Sequence, residues 1–365
     1  MPIFKRVLSE SNEEFDFEID SSKSPYLHSF MKYASIKYKN NYFMTPKNLI
    51  DCLISTNIGT YGFKELTEHD VDKILNKTPS IGKDKEFFSS LGQNGLISFT
   101  EFLLLISLLS TPEKRLEYAF IMLDQTKNKK IEAREFEMLK KFTASRKDKE
   151  MKQIIDRCGL RKAMRNDNLY DTTLTRHFFG SKRDKFLVFK DFLNFVIDFQ
   201  TEILKLEYNS LTYNRDMHPI ELARSLLKYT NWSQEKMKEA IMKVSKNTEE
   251  TDGVSFTSYK EFNSFIFLIE DFLTALNLYN ISKISIQPVE FQRAAKAVCG
   301  HDLDPVIIKT LFLLFDYNGD GKLNATDFYD AMKSMLKRNF NEEETDYHGW
   351  EGFKICINKN LNKAL

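Results

Sequence analysis

The chain has few of the residues that build turn-rich or disulfide-rich proteins. Its 365 residues include only 13 Gly and 8 Pro, whereas β-sandwiches and propellers of this length need many turn residues. A mostly helical protein is therefore favoured over an all-β one. The 4 cysteines lie far apart, with no Cys-x-x-Cys pair and no clustered Cys/His spacing. This spacing argues against a structural zinc site and against a dense disulfide framework.

An excess of one charge and long apolar runs are also missing. Lys and Arg together number 53 and Asp and Glu 52, so the net charge is +1, and we expect no general attraction to nucleic acid. The longest apolar run, near residues 102–109, falls far short of the ~18 residues that span a bilayer. We find no nucleotide-binding glycine loop and no His-Glu-x-x-His motif. From the first residues we expect no intact signal or transit peptide.

A short pattern recurs along the chain. An apolar residue is followed four positions later by an acidic or amide residue, then by another apolar residue and a helical run, with Ser258 in the weakest copy. The leading apolar residues are Met44, Ile97, Ile131, Leu187, Met217, Val254, Ile286 and Leu323. In a helix–loop–helix unit with a twelve-residue loop, position 8 is apolar because two loops pair there, and the acid at position 12 closes a cation site. The repeat therefore predicts a series of EF-hand or EF-like units.

The most complete loop spans residues 316–327. Side-chain oxygens stand at positions 1, 3, 5 and 12 and a backbone carbonyl at position 7, which assigns as ligands Asp316, Asn318, Asp320, Asp327 and Lys322. Gly321 at position 6 permits the positive φ of the sharp turn. Hard cations such as Ca²⁺ take about six to eight oxygen ligands. We predict a Ca²⁺ site here.

Position 12 of this loop departs from the usual pattern. Asp327 stands where Glu is common, and its side chain is one methylene shorter. A single oxygen from this residue would weaken Ca²⁺ binding and relatively favour six-coordinate Mg²⁺. Ca²⁺ remains the expected ion, and Mg²⁺ is the alternative at the same loop.

A second loop, residues 124–135, has the correct ends but an altered middle. Asp124 and Glu135 occupy positions 1 and 12, whereas Thr126 and Asn128 replace acids and Lys129 replaces the turn glycine. A left-handed residue other than Gly costs ~1–2 kcal/mol. We expect this loop to bind an ion weakly or not at all and to serve mainly as a partner for a neighbouring loop.

The repeat predicts an all-α protein of tandem EF-hand lobes with short β-bridges between loops. The predicted divisions are a flexible tail (1–25), an N-terminal EF-like domain (26–110), an N-lobe with the degenerate loop (111–200), a C-lobe with the intact loop (201–336) and a C-terminal helix (337–365). Because the units fill most of the chain, no catalytic domain fits and we expect no enzymatic activity. A cytosolic EF-hand sensor or buffer and a mainly structural Mg²⁺-loaded subunit are alternative functions.

Several segments extend the likeness beyond the loops. They are Phe43-Met44-Thr45-Pro46, residues 91–99 (LGQNGLISF), Leu109-Ser110-Thr111-Pro112, Phe178-Phe179-Gly180, Leu204-Lys205-Leu206-Glu207 and Leu314-Phe315-Asp316. In order and spacing, from about Tyr26 to the C-terminus, the chain resembles the mitochondrial calcium uptake proteins, the EF-hand regulators of the mitochondrial calcium uniporter.

This resemblance implies a Ca²⁺-sensing gatekeeper of the uniporter in the mitochondrial intermembrane space. Such a protein would lie at the periphery of the inner membrane, bind the uniporter pore complex, and form a homodimer or a heterodimer with a paralogue. Cys356 falls where family members place an intermolecular cysteine, and an oxidising compartment permits such a disulfide. An ordinary surface thiol at Cys356 is the alternative.

Overall fold

The computed structural model describes ten stretches of the chain. They are residues 25–39, 41–54, 62–81, 86–124, 126–137, 171–212, 215–249, 251–278, 285–316 and 319–336. The predicted tail, apart from its last residue, and the predicted C-terminal helix, which includes Cys356, lie outside the described residues.

The described chain is mostly helical, which confirms the predicted class. In the first half the helices are Pro25–Tyr33, Pro46–Ile54, Glu68–Leu75, Phe87–Leu91, Phe99–Leu109, Glu113–Leu123, Thr173–Phe179 and Phe189–Thr212, and residues 133–137 are also helical. In the second half they are Pro219–Leu227, Gln234–Lys246, Phe256–Ile266, Ile269–Leu278, Pro288–Cys299, Pro305–Phe315 and Ala325–Leu336. Within the described residues, none of these helices combines the length and the apolar character needed to cross a membrane.

The strands are short and join loops to one another. They are Ile36–Tyr38, Asn41–Phe43, Lys64–Glu65, Lys130–Glu132, Phe186–Val188, Ser285–Ile286 and Leu323–Asn324. The first of these pairs antiparallel with the second and parallel with the third, in a small sheet that the repeat did not predict.

The predicted β-bridges join consecutive units of the repeat. The pairs are Met44 with Ile97, Ile131 with Leu187, Met217 with Val254 and Ile286 with Leu323. Each bridge residue is at most 2% exposed, so each apolar position 8 is buried where two loops meet. The structure therefore confirms the bridges and assigns the partner of every unit, including those whose pairing the sequence left open.

The acid at position 12 caps the N-terminus of the exit helix. The backbone N–H of Ser98 donates to Glu101 Oε2 at 3.0 Å, and the N–H of Gln287 donates to Glu290 Oε2 at 2.9 Å. Each acid thereby satisfies a backbone N–H that has no partner within the helix. Position 12 consequently has a structural role in loops that lack the other ligands of an ion.

One long helix contributes side chains to two large hydrophobic cores. The first core includes buried side chains from Leu27 to Ile203, and the second includes side chains from Leu204 to Met335. The helix Phe189–Thr212 contributes to both, and the predicted boundary between residues 200 and 201 lies within it. The predicted N-terminal domain and N-lobe share the first core.

A buried carboxylate ties the long helix to the N-terminal domain. Glu202 is 4% exposed and accepts the N–H of Phe88 at 3.3 Å and of Ser89 at 2.6 Å. These donors belong to the first turn of the helix Phe87–Leu91, so the carboxylate caps a helix that has no side-chain cap of its own. Burial raises the pKa of the Glu202 carboxyl, and the hydrogen bonds from Ser89 and Phe88 oppose that rise.

The C-lobe core depends on one central aromatic ring. Phe291 is fully buried, and its ring centroid lies 5.0–5.9 Å from those of Phe265, Phe272, Phe312 and Phe328.

We expect Phe291→Ala to lower the free energy of unfolding by about 3–5 kcal/mol, because the deleted ring leaves a cavity. Denaturant unfolding followed by circular dichroism measures this loss. Val289→Ala on the same helix is the control, since Val289 is 59% exposed; equal losses in the two variants would contradict the prediction.

Candidate metal centre

The last loop starts at the end of a well-capped helix. The helix Pro305–Phe315 has Pro in its first turn, and the N–H of Val306 donates to the Asp304 side chain at 2.8 Å. The helix ends at Phe315, and the next residue, Asp316, is position 1 of the loop. After the loop, the strand Leu323–Asn324 leads into the exit helix Ala325–Leu336.

The carboxylate of Asp316 holds the turn together from inside. Its Oδ1 accepts the N–H of Gly319 at 2.8 Å and of Asp320 at 3.1 Å, and its Oδ2 accepts the N–H of Gly321 at 3.0 Å. Asp316 is only 8% exposed, so a negative charge lies within a ring of backbone dipoles. The sequence alone predicted the position of this acid.

Two glycines make this curvature possible. Gly319 has φ of 72° and Gly321 has φ of 77°, values that cost L side chains energy and cost Gly none. Gly321 at position 6 was predicted in this role. Gly319 at position 4 is a second such residue, which was not predicted in this role.

The structure shows the contacts of only some of the other assigned ligands. Asp320 accepts the N–H of Lys322 at 2.9 Å through Oδ1, and Asp327 is half-buried at the start of the exit helix. Asn318 lies outside the described residues. Within the part of the chain that the structure describes, no three His, Cys, Asp or Glu side chains converge closely enough to hold a metal ion. The ligand set therefore remains a prediction, although its donors are all oxygens, which fits a hard divalent cation.

Two lysines from a distant helix contact the ends of this loop. The Nζ of Lys243 lies 3.9 Å from Asp316 Oδ2 and also donates to the Asp316 backbone carbonyl. The Nζ of Lys236 lies 3.6 Å from Asp327 Oδ2. Sequence reasoning missed both residues. Their seven-residue spacing places them on one face of a helix, but nothing in the sequence indicates which loop that face meets.

The degenerate loop has the same internal scaffold. Asp124 Oδ1 accepts the N–H of Asn128 at 2.9 Å, and its Oδ2 accepts the N–H of Lys129 at 2.6 Å. Glu135 accepts the N–H of Thr126 at 3.0 Å through Oε1 and that of Glu132 at 3.0 Å through Oε2. Both acids are therefore satisfied by backbone donors of their own loop.

Lysines stand where the last loop has glycines. Lys127 has φ of 58° and Lys129 has φ of 62°, at positions 4 and 6 of the degenerate loop. The left-handed backbone is thus kept at an energetic cost. Two positive charges at the turn also oppose a cation in this loop.

Of the two described cysteines, Cys52 is a poor candidate for a disulfide. Cys52 is buried, and burial raises the pKa of its thiol to about 12, so the reactive thiolate is scarce near neutral pH. Cys299 is half-buried on the helix Pro288–Cys299. The predicted intermolecular role of Cys356 stays a prediction.

Comparison with known proteins identifies close likenesses over most of the chain. The human calcium uptake protein 2, mitochondrial, is 31% identical over 312 residues, which cover 85% of this chain and 71% of that protein. A crystal structure of EFHA2 in a Ca-binding state has a TM-score of 0.71 at 29% identity, covering 83% of this chain and 96% of that one. The apo structure of the mitochondrial calcium uniporter protein MICU2 has a TM-score of 0.72 at 25% identity, covering 93% and 97%. No model of a known protein family matches the chain.

The left-handed conformation of Lys129 predicts a stabilising substitution. Lys129→Gly should raise the free energy of unfolding by about 1 kcal/mol, because Gly adopts positive φ without the cost borne by a side chain. Thermal unfolding of the ion-free protein measures the change. Lys130→Gly removes the same charge at the neighbouring strand residue and should destabilise, since Gly weakens a strand. A loss of stability in Lys129→Gly would show that the turn is not strained.

Proposed function

Since the chain belongs to the mitochondrial calcium uptake protein family, we propose that it is a Ca²⁺-sensing regulatory subunit of the mitochondrial calcium uniporter. The observation that carries the proposal is the last loop, where the Asp316 carboxylate lies inside a glycine-containing turn at the end of a helix. The role is regulatory, not enzymatic. The relatives' names support a mitochondrial location, and we place the protein in the intermembrane space at the periphery of the inner membrane.

The proposed ligands would couple ion binding to the C-lobe core. A bound Ca²⁺ would supply a +2 charge that about six to eight oxygens coordinate. Asp327 lies in the first turn of the exit helix, so drawing its carboxylate toward Asp316 would move that helix relative to the entering helix. The adjacent Phe328 is fully buried and packs on Phe315 at a centroid distance of 5.7 Å. A shift at Asp327 would therefore reach the core directly.

The energetics point to assembly with a second protein. A tenfold preference of the ion for one arrangement supplies only ~1.4 kcal/mol of switching free energy. Because the degenerate loop has lysines at its turn and lacks acids at positions 3 and 5, one loop would give this chain a shallow response. A homodimer, or a heterodimer with a paralogue that contributes further loops, would steepen the response at the pore complex.

A mainly structural Mg²⁺-loaded subunit is the second candidate, and Asp327 favours it. We expect Asp327→Glu to raise Ca²⁺ affinity in the presence of millimolar Mg²⁺, because the longer side chain can offer two oxygens. Titration calorimetry measures this competition. Asp330→Glu is the matched control, since Asp330 is exposed on the same helix. If Ca²⁺ at micromolar levels fails to displace Mg²⁺ from the unsubstituted protein, the sensor role is wrong and the structural one stands.

Association with the uniporter should depend on Ca²⁺ and on Asp316. We expect the unsubstituted protein to co-purify with the uniporter to different extents with and without Ca²⁺. Asp316→Asn should abolish that difference, because it removes the charge while its one oxygen can still accept the N–H groups of Gly319 and Asp320. The exposed Asp330→Asn is the control and should behave as the unsubstituted protein does. Failure of the protein to co-purify in either condition would overturn the proposed function.

A further inference from the structure

We propose that Lys236 and Lys243 compete with the cation for the two ends of the last loop and thereby set its affinity. The inference rests on the proposed Ca²⁺ site and names how that site is regulated. In this arrangement the helix Gln234–Lys246, which lies outside the loop's own helix pair, senses the occupancy of the loop.

The two ammonium groups contact the two acids that a divalent ion most needs. Lys243 Nζ lies 3.9 Å from Asp316 Oδ2, at position 1, and it also donates to the Asp316 carbonyl. Lys236 Nζ lies 3.6 Å from Asp327 Oδ2, at position 12. The first and last carboxylates of the loop are thus each accompanied by a positive charge from the same helix.

Packing of that helix fixes where the lysines lie. The helix Gln234–Lys246 packs against the entering helix Pro305–Phe315, and Ala240 and Val244 are buried in the C-lobe core. Lys236 and Lys243 are two helical turns apart and lie on one side of this buried stripe. Their side chains are 29% and 37% exposed, so the contacts belong to a packed face and not to freely moving surface chains.

Lys236 has a second contact, through which tryptophan emission can report on its position. Its Nζ lies 3.8 Å from the ring centroid of Trp232, a cation–π contact. The Trp232 ring in turn packs on Phe315 at 5.7 Å, at the end of the entering helix. The indole therefore contacts both the lysine on Asp327 and the helix that leads into the loop.

Competition follows from charge. Asp316 and Asp327 each already lie beside an ammonium group that neutralises their charge. A divalent cation coordinated by these carboxylates would be repelled by both ammonium groups. The lysine contacts must lengthen or break when the acids turn toward the ion. Partly exposed pairs of this kind contribute about 0.2–1 kcal/mol each, which corresponds to roughly a 1.4- to 5-fold change in affinity per lysine.

The test compares lysine variants of the full chain. Lys236→Met, Lys243→Met and the double variant keep most of the aliphatic stem and remove the charge. Lys238→Met is the matched control, because Lys238 is exposed on the same helix and its loss changes the net charge equally. Each variant also carries Trp350→Phe, which leaves Trp232 as the only tryptophan of the 2 in the chain. Calorimetry gives the Ca²⁺ affinity, and tryptophan emission reports the helix.

We expect Ca²⁺ to bind about two- to fivefold more tightly to Lys236→Met and to Lys243→Met, and about tenfold more tightly to the double variant. Lys238→Met should change the affinity less than about 1.5-fold. The Ca²⁺-induced change in Trp232 emission should fall by at least half in Lys236→Met, because the cation–π contact is already absent. Thermal unfolding of the ion-free variants verifies that each is folded.

The outcomes separate this inference from the proposed function. If the unsubstituted protein binds Ca²⁺ and Lys238→Met raises the affinity as much as Lys236→Met does, general charge accounts for the effect and the inference is overturned. An unchanged affinity in the double variant overturns it equally. If the unsubstituted protein binds no Ca²⁺, the proposed function fails first and the inference falls with it.

Discussion

The buried bridge between two loops is the interaction on which the rest of this protein depends. A single helix–loop–helix unit leaves the apolar residue at position 8 uncovered, whereas two units bury it against each other with backbone hydrogen bonds between them. In the bridge between Met44 and Ile97, for example, each backbone N–H donates to the other residue's carbonyl at 2.9 Å. Because both partners are fully buried, neither loop can leave without exposing apolar surface to water. A unit can therefore serve as a structural partner whether or not it binds an ion.

The parts of the fold that could be predicted are those set by the spacing of residues that are close together in the sequence. Position 8 of every unit, the acid at Asp316 and the turn glycine at Gly321 follow from short-range rules of loop geometry. The long helix Phe189–Thr212 is harder to predict, since no turn signal marks the point where one core ends and the next begins. The contacts of Lys236 and Lys243 could not be predicted at all. They join residues about 70 to 90 positions apart in the chain, at distances that only the packing of the C-lobe sets.

Comparison of the two loops separates shape from the capacity to hold an ion. In both, the carboxylate at position 1 receives backbone N–H groups from positions 5 and 6, so the turn has the same shape. In the degenerate loop, Lys127 and Lys129 adopt the positive φ that Gly319 and Gly321 adopt in the other. The shape is evidently maintained by the first carboxylate and the loop pairing, even against the conformational preference of lysine. What distinguishes the loops is charge and the number of remaining oxygens.

Charge outside the loop then affects the site in addition to the ligands inside it. A site whose first and last carboxylates are accompanied by ammonium groups has a lower affinity than its ligand list suggests, because the ion must compete for them. The same competition would transmit ion binding from the loop to a neighbouring helix. In the proposed competition, the loop's own helices are affected when the exit helix turns, and the helix Gln234–Lys246 is affected when its lysines lose their partners. Since this helix packs on the entering helix Pro305–Phe315, binding at the loop and rearrangement of the C-lobe surface become one equilibrium, biased by the difference in affinity between its two states.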